Sequence, residues 1–85
     1  SKAFFIISGQ PDAVAQRIMT DMDRGVTFLQ GRGGYTREER EILFCVVSTS
    51  EVTKLKDIVN SVDSRAFVIV ADVHDVLGEG FTRAG

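Results

Sequence analysis

Four stretches of the chain are short, apolar and rich in β-branched or aromatic residues, and two others repeat apolar residues at helical spacing. Ala3-Phe4-Phe5-Ile6-Ile7-Ser8, ended by Gly9, predicts strand 1. Pro11 suits a first helical position and Asp12 the positive end of a helix, and Val14, Ala15, Ile18, Met19 and Met22 recur on one helical face. Gly25 is expected to close this helix as a left-handed cap. Val26 to Leu29 predicts strand 2, running into the glycine cluster from Gly31 to Gly34, and Ile42 to Val47 predicts strand 3. The second helix is expected to begin around Ser48-Thr49-Ser50-Glu51. There Ser48 with Glu51 three residues on reads as a capping box, and Ser50 is the other candidate cap. Its buried stripe is Val52, Leu55, Ile58, Val59 and Val62, and Asp63-Ser64 breaks it. Ala66 to Ala71 predicts strand 4, followed by a polar, glycine-containing tail from Asp72 to Gly85.

The order β-α-β-β-α-β predicts a ferredoxin-like α+β sandwich: a four-stranded, antiparallel-type sheet carrying two helices of about four turns each on one face. Two right-handed βαβ crossings are expected to put strands 1 and 3 at the centre, parallel to each other. Strands 1, 3 and 4 are apolar on both faces, whereas helices on one side cover only one. The uncovered face therefore predicts a homo-oligomer.

A chain of 85 residues makes one domain, since halves of it fall below the size that supports a core. Surface scaling gives roughly 5,000 Å² folded against roughly 13,500 Å² unfolded, so a modest core is possible and a roomy enclosed active site is not. Ten Lys and Arg against 12 Asp and Glu give a net charge of −2, without the basic excess that binding to a phosphate backbone requires. Nucleic acid is therefore not an expected partner. The single cysteine, Cys45, lies inside an apolar run, so it is expected to be a buried structural thiol in a reducing compartment. The longest apolar runs, Ile42 to Val47 and Ala66 to Ala71, fall far short of the roughly 20 residues that span a bilayer, and no signal peptide is recognisable. The apolar run begins almost at the first residue, which predicts a domain excised from a longer protein.

Candidate chemistry is concentrated in Gly31-Arg32-Gly33-Gly34-Tyr35-Thr36-Arg37-Glu38-Glu39-Arg40, which joins two strands that two residues are able to connect. Three glycines among four residues permit positive φ and close backbone approach. Successive N–H groups can then form a nest that cradles a phosphate or carboxylate, with Arg32 and Arg37 supplying charge. The expected ligand-binding residues are Gly31, Arg32, Gly33, Gly34, Tyr35, Thr36 and Arg37. The alternative is that these glycines make a bulge and a wide hairpin with solvated Arg and Glu. The segment is neither a G-x-G-x-x-G, because Thr36 stands at the last glycine, nor a P-loop, because the Gly-Lys-Ser/Thr ending is missing.

A second cluster, Asp72, His74 and Asp75 with Glu79, offers metal ligands in principle, but one histidine and no cysteine pair make a weak set, and no metal or cofactor is expected. The plainer expectation is a strand end and a turn, with Val76, Leu77 and Phe81 packing back on the core, Gly78 and Gly80 as turn residues, and His74 at the surface. No serine or cysteine has an identifiable base partner, so no enzyme is expected.

Arg24-Gly25-Val26-Thr27, Gly31-Arg32-Gly33-Gly34-Tyr35-Thr36, Val70-Ala71-Asp72 and Val76-Leu77-Gly78-Glu79-Gly80-Phe81 together resemble the domain of unknown function at the C-terminus of YitT-type bacterial membrane proteins. The resemblance runs from about Phe4 to Phe81. It implies a domain that follows transmembrane helices on the cytoplasmic face of the membrane, and it carries over no catalytic residue. It also implies an architecture like the PII-like nucleotide sensors and amino-acid-binding ACT domains. In PII-like proteins the loop after strand 2 borders an effector site between subunits, and Gly31 to Arg40 occupies the equivalent place. The expected function is a regulatory domain sensing a small anionic metabolite or nucleotide. The alternative is an interaction module that only assembles the parent protein.

Overall fold

The computed structural model describes residues 1–77. Its elements are β1 (Lys2–Ile7), α1 (Pro11–Met22), β2 (Thr27–Arg32), β3 (Glu39–Val47), a 3₁₀ turn (Thr49–Glu51), α2 (Val52–Val62) and β4 (Phe67–Asp72). The sheet order is β2-β3-β1-β4, the α+β ferredoxin-like arrangement. β1 and β3 are central as expected, but they are antiparallel, with Phe4 opposite Cys45 and Ile6 opposite Leu43. The parallel orientation fails for a simple reason. A βαβ crossing makes β1 and β2 run the same way, and the hairpin from β2 reverses the chain before β3 slots between them.

Alternation along the central strands separates two faces. Phe4, Ile6, Leu43 and Val47 are fully buried beneath the helices, where they meet Val14, Ile18 and Leu55. Each helix presents one stripe to this layer, Val14, Ala15, Ile18 and Met22 from α1 and Leu55, Ile58 and Val59 from α2. Met19, expected in the first stripe, is 41% exposed. Residues of the opposite parity form a face that no described element covers. Cross-strand register lines them into rows: Leu29, Ile42, Ile7 and Phe67 in one, Thr27, Phe44, Phe5 and Ile69 in the next. The Phe5 and Phe44 rings meet at its centre, 5.1 Å between centroids and tilted by 48°. Such pairs add to sheet stability beyond the area they bury.

Both helices are shorter than expected, 12 and 11 residues, or about three turns each. α1 stops at Met22, and Asp23, not Gly25, takes the left-handed position, at φ 55° and ψ 42°. Aspartate tolerates this region better than most residues but still carries strain there, and its charge sits at the negative end of the helix. Asp23→Gly is therefore expected to stabilise the fold by about 0.5–1 kcal/mol, and Asp23→Asn to recover only the part due to charge. Thermal unfolding of the two variants measures the difference.

Candidate functional site

Most of the segment expected to be a long loop is ladder. β2 continues through Gly31 and Arg32, which pair with Arg40 and Glu39. The Gly33 amide then donates to the Glu38 carbonyl (2.9 Å) and the Arg37 amide to the Gly33 carbonyl (2.9 Å). Only Gly34 to Arg37 form the tip of a projecting hairpin. Its positive φ is at Arg37 (67°), and none of Gly31, Gly33 and Gly34 lies in the left-handed region. Two of these glycines serve close approach instead. A Cβ on Gly33 would lie 2.6 Å from Thr36 Oγ1, and one on Gly31 would lie 2.9 Å from Ile42 Cδ1, whereas Gly34 faces open space. Thr36 Oγ1 is itself fixed, accepting from the Glu38 amide at 3.3 Å. The amides of Gly33, Arg37 and Glu38 are thus engaged within the hairpin, and those of Gly34, Tyr35 and Thr36 at the tip have no hydrogen-bond partner among the described residues.

A hollow of about 360 Å³ lies beside this hairpin, with Ile7 and Ile42 from the uncovered face, Gly33, Tyr35 and Thr36 from the hairpin, and Arg32 and Arg40 at its rim. A second hollow of similar size shares Ile7 and Arg40 with it and adds Ser8, Gly9, Glu39, Arg65 and Phe67, so an acid stands beside its two arginines. Arg40 and Arg65, absent from the expected set, enter through register: Arg40 stands two residues before Ile42 on the same face, and Arg65 lies two residues before Phe67, just ahead of β4. Tyr35 is 99% exposed.

Two arginines away from the hairpin are ion-paired. Arg17 pairs with Asp21 (2.8 Å), and Arg24 reaches Glu51 in a two-pronged contact, Nη2 to Oε1 at 2.8 Å and Nε to Oε2 at 3.3 Å. The side chains of Arg32, Arg37, Arg40 and Arg65 make no ion pair among the described residues. The hollow therefore combines an apolar floor with Arg40 on the same sheet face and with Arg32, whose cross-strand neighbour is Glu39.

Two carboxylates hold the frame. Asp63 was expected only to break α2, yet it also ties that helix to the end of β1 beside the second hollow. Its Oδ2 accepts from the Ser8 hydroxyl (2.6 Å) and the Gly9 amide (3.0 Å), and its Oδ1 from the Arg65 amide (3.0 Å). The Ser8 hydroxyl first, then the two amides, hold the Asp63 carboxyl below the usual range. The sequence signal was Asp-Ser-Arg, the start of a turn in which an Asp side chain bonds its own backbone two residues on. At the opposite end of the sheet Asp72 is ion-paired with Lys2, so it belongs to the edge of the sheet. His74 is exposed, Val76 is half-buried, and Leu77, expected on the core, is 92% exposed. The chain past Asp72 leaves the sheet, so Leu77 has no apolar layer to join. Gly78, Glu79, Gly80 and Phe81 lie outside the described residues. Cys45 is buried under the helices, and desolvation pushes its thiol up to about 11, which suppresses the reactive thiolate.

The elements define a small ferredoxin-like α+β domain in which one sheet face and the β2–β3 hairpin are uncovered among the described residues. The chain belongs to the family described as "Uncharacterized protein conserved in bacteria (DUF2179)", whose profile matches residues 24–78. It is 54% identical over 84 residues to the UPF0750 membrane protein YvjA of Bacillus subtilis (strain 168), covering 99% of this chain and 30% of that protein. It is 51% identical over 82 residues to the UPF0750 membrane protein YpjC of the same strain, covering 96% of this chain and 28% of that one. The chain thus spans under a third of these membrane proteins. The crystal structure of a DUF2179 protein from Eubacterium ventriosum superposes with a TM-score of 0.74 at 33% identity, over 82% of this chain and 96% of that one. A functionally unknown protein from Pediococcus pentosaceus ATCC 25745 shares the fold, with a TM-score of 0.72 at 13% identity, over 91% of this chain and 94% of that one. Among the described residues no helix is long and apolar enough to cross a membrane.

Proposed function

We propose that this chain is a regulatory domain of a bacterial membrane protein, on the cytoplasmic face of the membrane, that binds a small anionic metabolite or nucleotide beside the β2–β3 hairpin. The observation that carries the reading is a hollow in which Arg40, without an ion-pair partner among the described residues, shares a sheet face with the apolar floor of Ile7 and Ile42, with Arg32 also in the lining. Free guanidinium groups bind phosphate or carboxylate in two-pronged fashion, and a flat apolar floor takes a ring or hydrocarbon body. Ile7 ends β1, the central strand whose other end, Lys2, lies at the far end of the sheet. The reading is of a binding domain, and the chain's one thiol, Cys45, is shielded by burial. Membership in a family whose relatives are membrane proteins supports an attachment to membrane helices.

A thermal-shift screen against nucleotides, amino acids and inorganic phosphate tests this. A compound present at 100 times its Kd adds about 2.7 kcal/mol to the folded state, which for a domain of this size raises Tm by roughly 10–20 °C. Absence of any shift at millimolar concentrations counts against ligand sensing. That result favours the second reading, an assembly module, for which the uncovered apolar sheet face is the specific support.

A further inference from the structure

We infer that the uncovered sheet face is the docking surface for a second copy of this chain, giving a dimer in which the two sheets pack face to face. The face is crossed edge to edge by two rows of mostly large apolar side chains, with the Phe5 and Phe44 pair in the middle. Those on its edge strands are well exposed, Leu29 at 38%, Ile69 at 45% and Phe67 at 61%.

Its size selects the occupant. Four strands about 4.8 Å apart and six residues long cover roughly 19 by 20 Å, or roughly 400 Å² in flat projection. Two copies face to face bury roughly 800 Å² before the relief of the side chains is counted, and that relief carries the total toward the roughly 1,200 Å² at which stable interfaces begin. Residues 78–85 contain one large apolar side chain, Phe81, too little to cover such an area. A twisted, pleated face without central polar groups is matched best by another face of the same twist, the packing found in β-sandwiches. A two-fold dimer brings the same patch to both sides. Ile7 and Ile42 belong to both this face and the hollow, so the second copy adds a wall to the hollow.

Sedimentation of the 85-residue chain at micromolar concentrations tests the inference, because the chain has its own buried core and folds as one unit. The expected species is a dimer of two 9.3 kDa chains. Ile69→Glu on one edge strand and Leu29→Glu on the other should each weaken association at least about 100-fold, because each places two uncompensated charges in a dry interface. Circular dichroism should show both variants folded, and Met19→Glu, on α1, should leave association unchanged. A 9.3 kDa monomer up to 100 µM overturns the inference, as does a trimer, in which flat faces are not paired two by two. Dimerisation that survives both edge substitutions overturns it as well. So does a monomeric chain that dimerises only when residues 78–85 are removed, a result that assigns the face to that segment.

Discussion

Glu51→Ala is expected to destabilise the domain by about 2–3 kcal/mol, a fall in Tm of roughly 10–20 °C. Three contacts end on this one carboxylate. The Ser48 amide and hydroxyl donate to Oε1 at 3.0 and 2.9 Å, forming the Glu51 half of a capping box at the start of the second helical segment. Arg24 grips both oxygens. The pair is neither fully buried nor free in solvent, with side chains 18% and 25% exposed, so its loss falls between the cost of a surface pair and that of a buried one. Burial alone pushes the Glu51 carboxyl up, but the hydrogen bonds from Arg24 and Ser48 outweigh it and hold the group below its ordinary value. A carboxyl depressed in the folded state contributes stability that is fully present above its unfolded pKa and is lost as pH falls through the lower folded one. The gap between wild type and Glu51→Ala should therefore be widest at neutral pH and should narrow once the pH drops below the usual glutamate range. Denaturant unfolding at pH 7 and pH 3 measures this, and a gap independent of pH would show that the charge on Glu51 is not what stabilises the joint.

Gly33→Val and Arg32→Ala should both weaken binding of whichever compound gives the largest shift in the thermal screen, but for different reasons. A side chain at Gly33 meets Thr36 Oγ1 at 2.6 Å, inside contact distance, and displaces the group that receives the Glu38 amide. The hairpin closure made by the Gly33 amide and carbonyl is then strained, so conformation and binding fail together. Arg32→Ala leaves the backbone ladder intact and removes a cation from the lining of the hollow, together with the charge opposite Glu39. It should reduce affinity for an anionic compound by about 10- to 150-fold, the scale of a charge-assisted hydrogen bond, with Tm of the free protein unchanged. Gly34→Ala, which meets nothing, is the control for both. Isothermal titration of the three variants distinguishes these effects, and unchanged affinity in both Gly33→Val and Arg32→Ala would move the site away from the hairpin.

Periodicity and local chemistry by themselves determined the strands, the helices and most of the residues that pack between them. These signals are local, because a buried stripe such as Leu55, Ile58 and Val59 repeats every turn whatever lies across from it. Ser48 and Glu51 were legible as a cap because their contact spans three residues. The apolar character of both faces of β1 and β3 was legible too, and with it that two helices on one side leave the other face uncovered.

Tertiary structure decided whatever depends on residues far apart in the chain. Gly25 is the better left-handed residue, yet the helix ends at Asp23, and Arg24 leaves it to meet Glu51, 27 positions on. Glycines 31 and 33 looked like a loop because glycine is a weak strand former, but pairing with β3 continues the ladder past Gly31, and close contacts explain why side chains are missing there. Asp63, 55 residues after Ser8, became the tie between α2 and β1 only when the two ends met. Arg40 and Arg65 entered the candidate site for the same reason, since cross-strand register brings Ile42, Ile7 and Phe67 into one row and sets both cations at its margin. Register is a property of paired strands, and a single strand's alternation fixes which residues share a face but not which neighbours they will have.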